Sequence, residues 1–295
     1  MSASFLTVVL ERAFNMRDGF GREIDYMRIS VIDSCNLNCY YCNPCDNNEH
    51  CHALNILSVK EVLCIVRAAT RLGIKHFRLT GGEPLLHPQL DEMVLQIKKI
   101  PGVSSVSLTT NAVLLAQHAK WLKEAGIDSI NVSLDTIDAS EYERITKKPL
   151  LEEVKHGINA AIECGIRVKI NVVLTPQTDV VALTRYVAKK GTDIRFIEMM
   201  PVGEGHTNGV EPYKKVIGTL SKLYGEPCRI NTEKTKEINS GNDKRKIPDN
   251  GPAEYYIFPE LGIRVGLIQA IHGKFCDTCN RIRVTADGRL MPCLG

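Results

Sequence analysis

The sequence has no apolar run long enough to cross a bilayer. Its most apolar N-terminal stretch, Phe5 to Leu10, stops at Glu11 and Arg12, so it serves neither as a signal peptide nor as a membrane span. Excess charge is also scarce. There are 37 Lys plus Arg against 34 Asp plus Glu, a net +3, and no long basic run marks a nucleic-acid arm. No Gly-x4-Gly-Lys sequence occurs, so a nucleotide would have to be held without a P-loop. There is no internal repeat beyond an alternation of strand and helix patterns. Neither a nucleic-acid nor a membrane partner is expected.

What the sequence does have is cysteine: 11 in 295 residues, six of them in two tight groups. An odd count in a chain this long does not suit a disulfide framework. The expectation is a reducing cytoplasm in which the clustered thiolates bind metal. Hydrophobic residues make up 44% of the chain, enough for one large domain or a domain with an extension.

Strand patterns fall at Tyr26–Asp33, His76–Thr80, Val103–Thr109, Ser129–Leu134, Arg167–Leu174 and Asp193–Glu198, with helical patterns between them. Ser58 to Glu61 has the form of a capping box. Leu90, Met93, Val94 and Ile97 follow helical spacing, and Leu151, Val154, Ile158 and Ala161 nearly do. Gly73, Gly126, Gly165 and Gly191 each sit where a helix ends in a left-handed residue. Six strand–helix units in series predict a parallel α/β sheet with right-handed crossovers. Cys35, Gly81–Pro84, Thr109–Asn111, Ser133, Lys169 and Met200 are expected at or just past strand C-terminal ends. That placement favours a partial, TIM-like (β/α)6 barrel over an open doubly wound sheet. The barrel is assigned to residues 1–203 and a C-terminal extension to 204–295. In the extension Lys214–Leu223 is expected to be helical, Asn231–Asn250 an exposed loop, and Gly251–Gly295 short strands carrying the second cysteine group.

The first group, Cys35-Asn-Leu-Asn-Cys39-Tyr-Tyr-Cys42, follows the first strand. Its spacing lets three thiolates converge in one loop, and three ligands would leave one iron of a cubane open. Taken alone, the loop also fits a zinc site, or an electron-transfer cluster with Cys45 as fourth ligand. Gly81-Gly82-Glu83-Pro84 follows the next strand. Two glycines allow close backbone approach to a ligand, and a carboxylate can hold an ammonium group. The two motifs, in order on successive strands, resemble the radical S-adenosylmethionine (SAM) superfamily. That resemblance implies a [4Fe-4S] cluster whose open iron chelates SAM, one-electron cleavage of the sulfonium, and a 5′-deoxyadenosyl radical that takes a hydrogen from substrate.

The second group is Cys276, Cys279 and Cys293, again three cysteines without an obvious fourth. A zinc knuckle completed by His272 is the alternative. Arg281 and Arg283, two apart in a predicted strand, share a face, and paired guanidiniums beside a cluster suit a phosphate-bearing substrate.

From about Gly21 to Gly295, outside Asn231–Asn250, the chain resembles the GTP 3′,8-cyclase family of molybdenum cofactor (molybdopterin) biosynthesis. The matching runs are Arg28-Ile-Ser-Val-Ile-Asp, Arg78-Leu-Thr-Gly-Gly-Glu-Pro-Leu-Leu, Leu108-Thr-Thr-Asn, Asn131-Val-Ser-Leu-Asp, Val168-Lys-Ile-Asn-Val-Val, Arg195-Phe-Ile-Glu-Met-Met-Pro-Val-Gly and Cys276–Leu294. The resemblance implies two [4Fe-4S] clusters, one on Cys35, Cys39 and Cys42 and one on Cys276, Cys279 and Cys293, the latter meeting the guanine. It implies SAM contacts from Tyr41, Gly82, Ser133 and Met200. GTP contacts fall to Arg28, Arg78, Thr109, Lys169, Arg281 and Arg283, with the five cations converging on one mouth. The implied reaction abstracts the C3′ hydrogen of GTP and closes C3′ onto C8, giving 3′,8-cyclo-7,8-dihydro-GTP. Implied partners are GTP, a one-electron reductant of flavodoxin or ferredoxin type, and a downstream cyclic pyranopterin monophosphate synthase; a homodimer is left open.

Three departures stand out. The Gly-Gly tail on which the family often ends is missing two residues after Cys293, so a fragment or a variant is expected. Ala112 stands where the family often has glycine after Thr-Thr-Asn. Cys45 and Cys51 add thiols near the first group, whereas Cys64, Cys164 and Cys228 are expected to be small buried hydrophobes. The rival readings are a peptide-modifying radical SAM maturase and a non-catalytic iron–sulfur or zinc module. The first leaves Arg281-x-Arg283 unexplained; the second leaves the glycine motif and the cations without purpose.

Overall fold

The computed structural model describes residues 16–42, 55–200, 210–230 and 251–293. Cys45, Cys51, the Phe5–Leu10 stretch and the loop expected over Asn231–Asn250 lie outside the described residues.

Six parallel strands form the frame: β1 (Tyr26–Ser30), β2 (His76–Thr80), β3 (Ser105–Thr110), β4 (Ser129–Ser133), β5 (Val168–Val173) and β6 (Asp193–Ile197). Between them run α1 (Val59–Arg71), α2 (Leu90–Lys98), α3 (Leu115–Glu124), α4 (Ala139–Thr146), α5 (Leu151–Glu163) and α6 (Val180–Lys189). The Ser58 capping box is present: Glu61 N–H donates to Ser58 Oγ at 3.3 Å and Ser58 N–H to Glu61 Oε2 at 2.8 Å. Gly73, Gly126, Gly165 and Gly191 all adopt positive φ.

The strands pair in sequence order, β1-β2-β3-β4-β5-β6. A doubly wound sheet reverses direction at a switch point, and this one never does. Right-handed crossovers in unbroken order place all helices on one side, which curls the sheet into a partial barrel.

The two faces differ in chemistry. Met27, Ile29, Phe77, Leu79, Val106, Leu108, Ile130, Val132, Ile170, Ile194 and Phe196 point outward and are buried under the helices. The alternate positions carry Arg28, Arg78, Ser107, Thr109, Asn131, Lys169 and Arg195. A parallel sheet that packs apolar groups on both faces shows no such alternation. Here the inner face is kept polar.

After β6 a π-helical turn at Tyr213–Ile217 runs into α7 (Gly218–Tyr224), where a helix over Lys214–Leu223 was expected. The later strands are β7 (Cys228–Ile230), β8 (Glu254–Ile257), β9 (Arg264–Ile268), β10 (Arg281–Val284) and β11 (Leu290–Met291). They extend both edges of one eleven-stranded sheet, in the order β11-β10-β1 to β6-β9-β8-β7. β9 lies parallel to β6, and β10 returns to lie parallel to β1. Among the described residues no helix is long and apolar enough to cross a membrane.

The lone cysteines depart from expectation. Cys64 and Cys228 are exposed and Cys164 is half-buried. Cys64 sits on α1 away from its buried Val62, Val66 and Ala69 stripe, and Cys228 lies on an edge strand.

Candidate functional site: a polar lumen between two cysteine groups

The first cysteine loop leaves the C-terminal end of β1 and is anchored from two sides. Asn38 N–H donates to Thr146 O at 3.0 Å and Tyr40 N–H to Ile145 O at 3.1 Å, tying the loop to the end of α4. On the other side, Gly82 N–H donates to Ile32 O and Glu83 N–H to Ser34 O, both at 2.8 Å. A Cβ on Gly81 would lie 2.3 Å from Ile32 O, and one on Gly82 2.0 Å from Ser34 O. The glycine pair is therefore required by the backbone that leads into Cys35, while the free face of Gly82 stays exposed.

Glu83 does not offer its carboxylate to a ligand. It is buried, and it accepts from Thr110 Oγ1 at 2.6 Å, Asn111 N at 2.7 Å and Leu85 N at 3.0 Å. Burial pushes its pKa up to about 7, against the pull of those donors. It links the β2 loop to the β3 loop. The next residue after Asn111, Ala112, is buried at φ +66°, a conformation that favours glycine.

Tyr41, between Cys39 and Cys42, donates its hydroxyl to Asp135 Oδ2, and Asp135 Oδ1 accepts from Val173 N at 2.7 Å. Burial raises Asp135 to about 6. Burial also pushes all three thiols up, Cys39 to about 12 with Asp135 and the two other thiols adding to it. An iron cluster brings positive charge that favours the thiolate forms.

The second group is assembled by topology. Cys276 and Cys279 precede β10, and Cys293 follows β11, which runs back antiparallel along β10. All three therefore lie toward the N-terminal end of β10. β1 and β10 are parallel, so this end is opposite the one at which Cys35 leaves β1. Arg22 donates to Cys276 O at 2.6 Å, and Asn280 Nδ2 to Asp25 Oδ1 at 2.6 Å, fastening the loop to the entry of β1. His272 Nδ1 is paired with the buried Glu198 just past the end of β6, which leaves Nε2 as the ring nitrogen that could face a metal.

Cys35, Cys39 and Cys42 come from one loop and supply the all-thiol donor set that an iron–sulfur cluster takes. All nine described cysteines are free of disulfides.

Between the two groups lies a row of cations. Arg28 pairs in register with Arg283 on one side and Arg78 on the other, and Tyr26 pairs with Arg281. The Tyr26 ring lies 5.9 Å from the Arg78 guanidinium and 5.5 Å from that of Arg281. Arg78 donates to the Tyr26 hydroxyl at 2.6 Å and to Thr109 Oγ1 at 3.3 Å. Burial, then repulsion from Arg281, Arg78 and Arg283, pushes Arg28 down to about 9. Its Nε is buried with no hydrogen-bond partner. A buried donor left unpaired among like charges is costly unless an anion meets it.

The cations thus line the lumen rather than crowding one mouth. Lys169 is the second residue of β5, not at its C-terminal end, because the strand starts at Val168 and runs to Val173. Ser133 ends β4, and Met200 lies three residues past β6. Sequence reasoning passed over Arg195, which shares the inner face and donates to Asn171 Oδ1 at 3.0 Å. Asp193-Ile194-Arg195-Phe196 does alternate, but so short a run does not say which face meets the lumen. Gly266 on β9 makes room for it, since a Cβ there would lie 2.8 Å from Arg195 Cγ.

Comparison with known proteins agrees with this architecture. Residues 29–183 match the radical SAM superfamily model, and residues 192–295 match the molybdenum cofactor synthesis C-terminal model. A GTP 3′,8-cyclase of Clostridium perfringens is 37% identical over 95% of this chain and 83% of its own length. One from Pelotomaculum thermopropionicum is 38% identical over 95% of this chain and 84% of its own. The solved structure of Streptococcus suis SuiB bound to S-adenosylmethionine superposes with a TM-score of 0.65 at 15% identity, covering 92% of this chain and 60% of that one, a likeness of fold. Two cysteine triads framing a cation-lined partial barrel, and relatives matched along nearly the whole sequence, place the chain in the GTP 3′,8-cyclase family of the radical SAM superfamily.

Proposed function

We propose that the chain is a radical SAM lyase that converts GTP to 3′,8-cyclo-7,8-dihydro-GTP in molybdenum cofactor biosynthesis. The observation that carries this reading is the crowded arginine lumen, where Arg28 keeps a buried, unpartnered Nε among Arg78, Arg281 and Arg283. A triphosphate relieves that crowding; a neutral peptide does not.

In this reading Cys35, Cys39 and Cys42 hold the SAM-binding cluster and Cys276, Cys279 and Cys293 a second, both [4Fe-4S]. When bound, the first cluster supplies the electron that cleaves SAM and so the power to remove the C3′ hydrogen. Tyr41, Gly82, Ser133 and Met200 contact SAM, and all four stand at or beyond strand C-terminal ends. Arg28, Arg78, Thr109, Lys169, Arg281 and Arg283 bind GTP, with Arg195 added by its place on the same face. GTP then lies between the two cysteine groups, with its guanine toward the second. The helices and the outer-face core exclude water from the lumen wall.

We assign residues 1–203 to the radical SAM barrel and 204–295 to the extension. The support is that every strand after 203 adds outside β1–β6. A cytoplasmic setting, a flavodoxin- or ferredoxin-type reductant, a downstream cyclic pyranopterin monophosphate synthase and a homodimer complete the proposal. The free cysteines support the reducing compartment.

The test is anaerobic reaction of the reconstituted, reduced protein with SAM and GTP, read by mass spectrometry. The expected result is 5′-deoxyadenosine together with a cyclised GTP isomer that acid and oxidation turn into a pterin. Arg281→Ala and Arg283→Ala should each weaken GTP binding while SAM cleavage persists. Unchanged GTP affinity in both overturns the anion-site assignment.

A further inference from the structure

Asn111 closes the turn after β3, and its amide is oriented by the chain around it. Oδ1 accepts from Val113 N at 3.0 Å, so Nδ2 faces away from that bond. Nδ2 donates to Asn36 Oδ1 at 2.7 Å and stands 3.7 Å from Cys35 Sγ. The backbone N–H of Leu37 reaches the same sulfur at 3.4 Å. Cys39 has only its own backbone N–H near its sulfur, and among the described residues no side-chain amide reaches Cys39 or Cys42 as Asn111 reaches Cys35. Asn111 is also held from behind, because its own N–H donates to Glu83 Oε2 at 2.7 Å. That carboxylate is buried and fixed by Thr110 and Leu85. The left-handed Ala112 shapes the turn that aims the amide.

We propose that Asn111 tunes the first iron–sulfur cluster by donating an N–H···S hydrogen bond to the Cys35 thiolate, raising the cluster's reduction potential. The inference rests on the reading of Cys35, Cys39 and Cys42 as cluster ligands. Reduction adds one negative charge to the cluster and its thiolates. A donor aimed at a ligating sulfur stabilises that state more than the oxidised one. Two donors on Cys35 make the three ligands inequivalent. Val113 blocks the amide flip that would put an oxygen against the sulfur.

The experiment uses the full chain, reconstituted anaerobically. It is titrated with dithionite in the presence of redox mediators and followed by electron paramagnetic resonance. A spectral change on adding SAM identifies the first cluster. The variants are Asn111→Ala and Asn111→Asp, with iron and sulfide content measured beside each titration. Loss of the donor should lower the reduced-to-oxidised ratio at fixed potential about tenfold, which is about 59 mV for a one-electron couple. Asn111→Asp, which puts negative charge in place of the donor, should shift further in the same direction. If Asn111→Ala fails to load iron, Asn111→Asp decides the question, since it keeps the contact to Val113. An unchanged midpoint with iron content and the SAM response intact overturns the inference and leaves the cluster reading standing. Absence of any SAM-sensitive cluster in the unmodified chain overturns the cluster reading itself, and the inference with it.

Discussion

Replacing Gly82 by alanine separates two roles that the Gly81-Gly82-Glu83-Pro84 motif can play. If the glycine serves only to let SAM approach, Gly82→Ala weakens SAM binding and leaves cluster assembly alone. The geometry predicts more. The new Cβ would lie 2.0 Å from Ser34 O, 2.4 Å from Ser34 C and 2.5 Å from Asp33 O, all backbone atoms that no rotamer change can move. Relief to an ordinary contact of about 3.5 Å requires a shift of more than about 1 Å in the backbone entering Cys35. That shift strains the bonds from Gly82 N–H to Ile32 O and from Glu83 N–H to Ser34 O. Two such bonds at about 1 kcal/mol each, with overpacking of about 1–3 kcal/mol, give a loss of about 3–5 kcal/mol. The assay is a denaturant melt of the cluster-free protein together with iron per chain after reconstitution. The expected variant is destabilised and loads less iron through the first triad. A variant with wild-type stability and iron content but weak SAM binding refutes the reasoning.

Two further outcomes follow from charge and hydrogen bonding. Arg28 is held down to about 9, and a polyanion favours its charged form, so GTP affinity is full below that pH and falls as pH rises through it. Calorimetry showing constant affinity to about pH 10 contradicts the assignment, because the linkage requires a decline there. Asp135→Ala and Tyr41→Phe each remove one side of the same bond, the first also leaving Val173 N–H without its acceptor, and should each cost about 1–3 kcal/mol, with the double variant little worse than Asp135→Ala alone. Fully additive losses in a denaturant melt would show that the two side chains act separately.

Local sequence pattern was enough for much of the frame. Each of the six expected strands overlaps β1 to β6, with ends differing by a few residues. The buried stripe of α2 is Leu90, Met93, Val94 and Ile97, as its spacing requires. The site was legible as residue types but not as an arrangement. Arg281 and Arg283 share a strand face, yet what they face depends on β10 pairing with β1 across some 250 positions of chain, and no local pattern encodes that register. For the same reason the cations were expected at one mouth, when pairing in register sets Arg283, Arg28 and Arg78 side by side at mid-strand. Glu83 and Gly82 looked like ligand groups because a glycine and a carboxylate after a strand carry no mark of the backbone they will meet. Asn111 was placed at a strand end without a role, and Asp135 and Glu198 were given none, because single polar residues past strand ends are common and only their partners distinguish them.

The register also sets the energetics of the lumen. Neighbouring strands stand about 4.8 Å apart, so the stems of Arg283, Arg28 and Arg78, which are direct partners across β10, β1 and β2, begin within about 10 Å of one another. Two like charges 4 Å apart repel by about 4 kcal/mol at an effective dielectric constant of 20. Nothing in folding favours such a row, and the outer face of the same strands shows that the sheet packs apolar side chains well where it has no ligand to meet. The row is retained at a cost to stability, which a bound polyanion offsets. Arg28→Met, which keeps the stem and drops the charge, should therefore raise the stability of the GTP-free protein by about 1–3 kcal/mol and weaken GTP binding at the same time. Both are read by thermal melts of the same sample with and without GTP. The ligand-free melting temperature should rise, and the shift caused by GTP should shrink. A variant that melts lower than the parent without GTP, yet gains as much from GTP as the parent does, would mean that Arg28 braces the sheet and that the anion sits elsewhere.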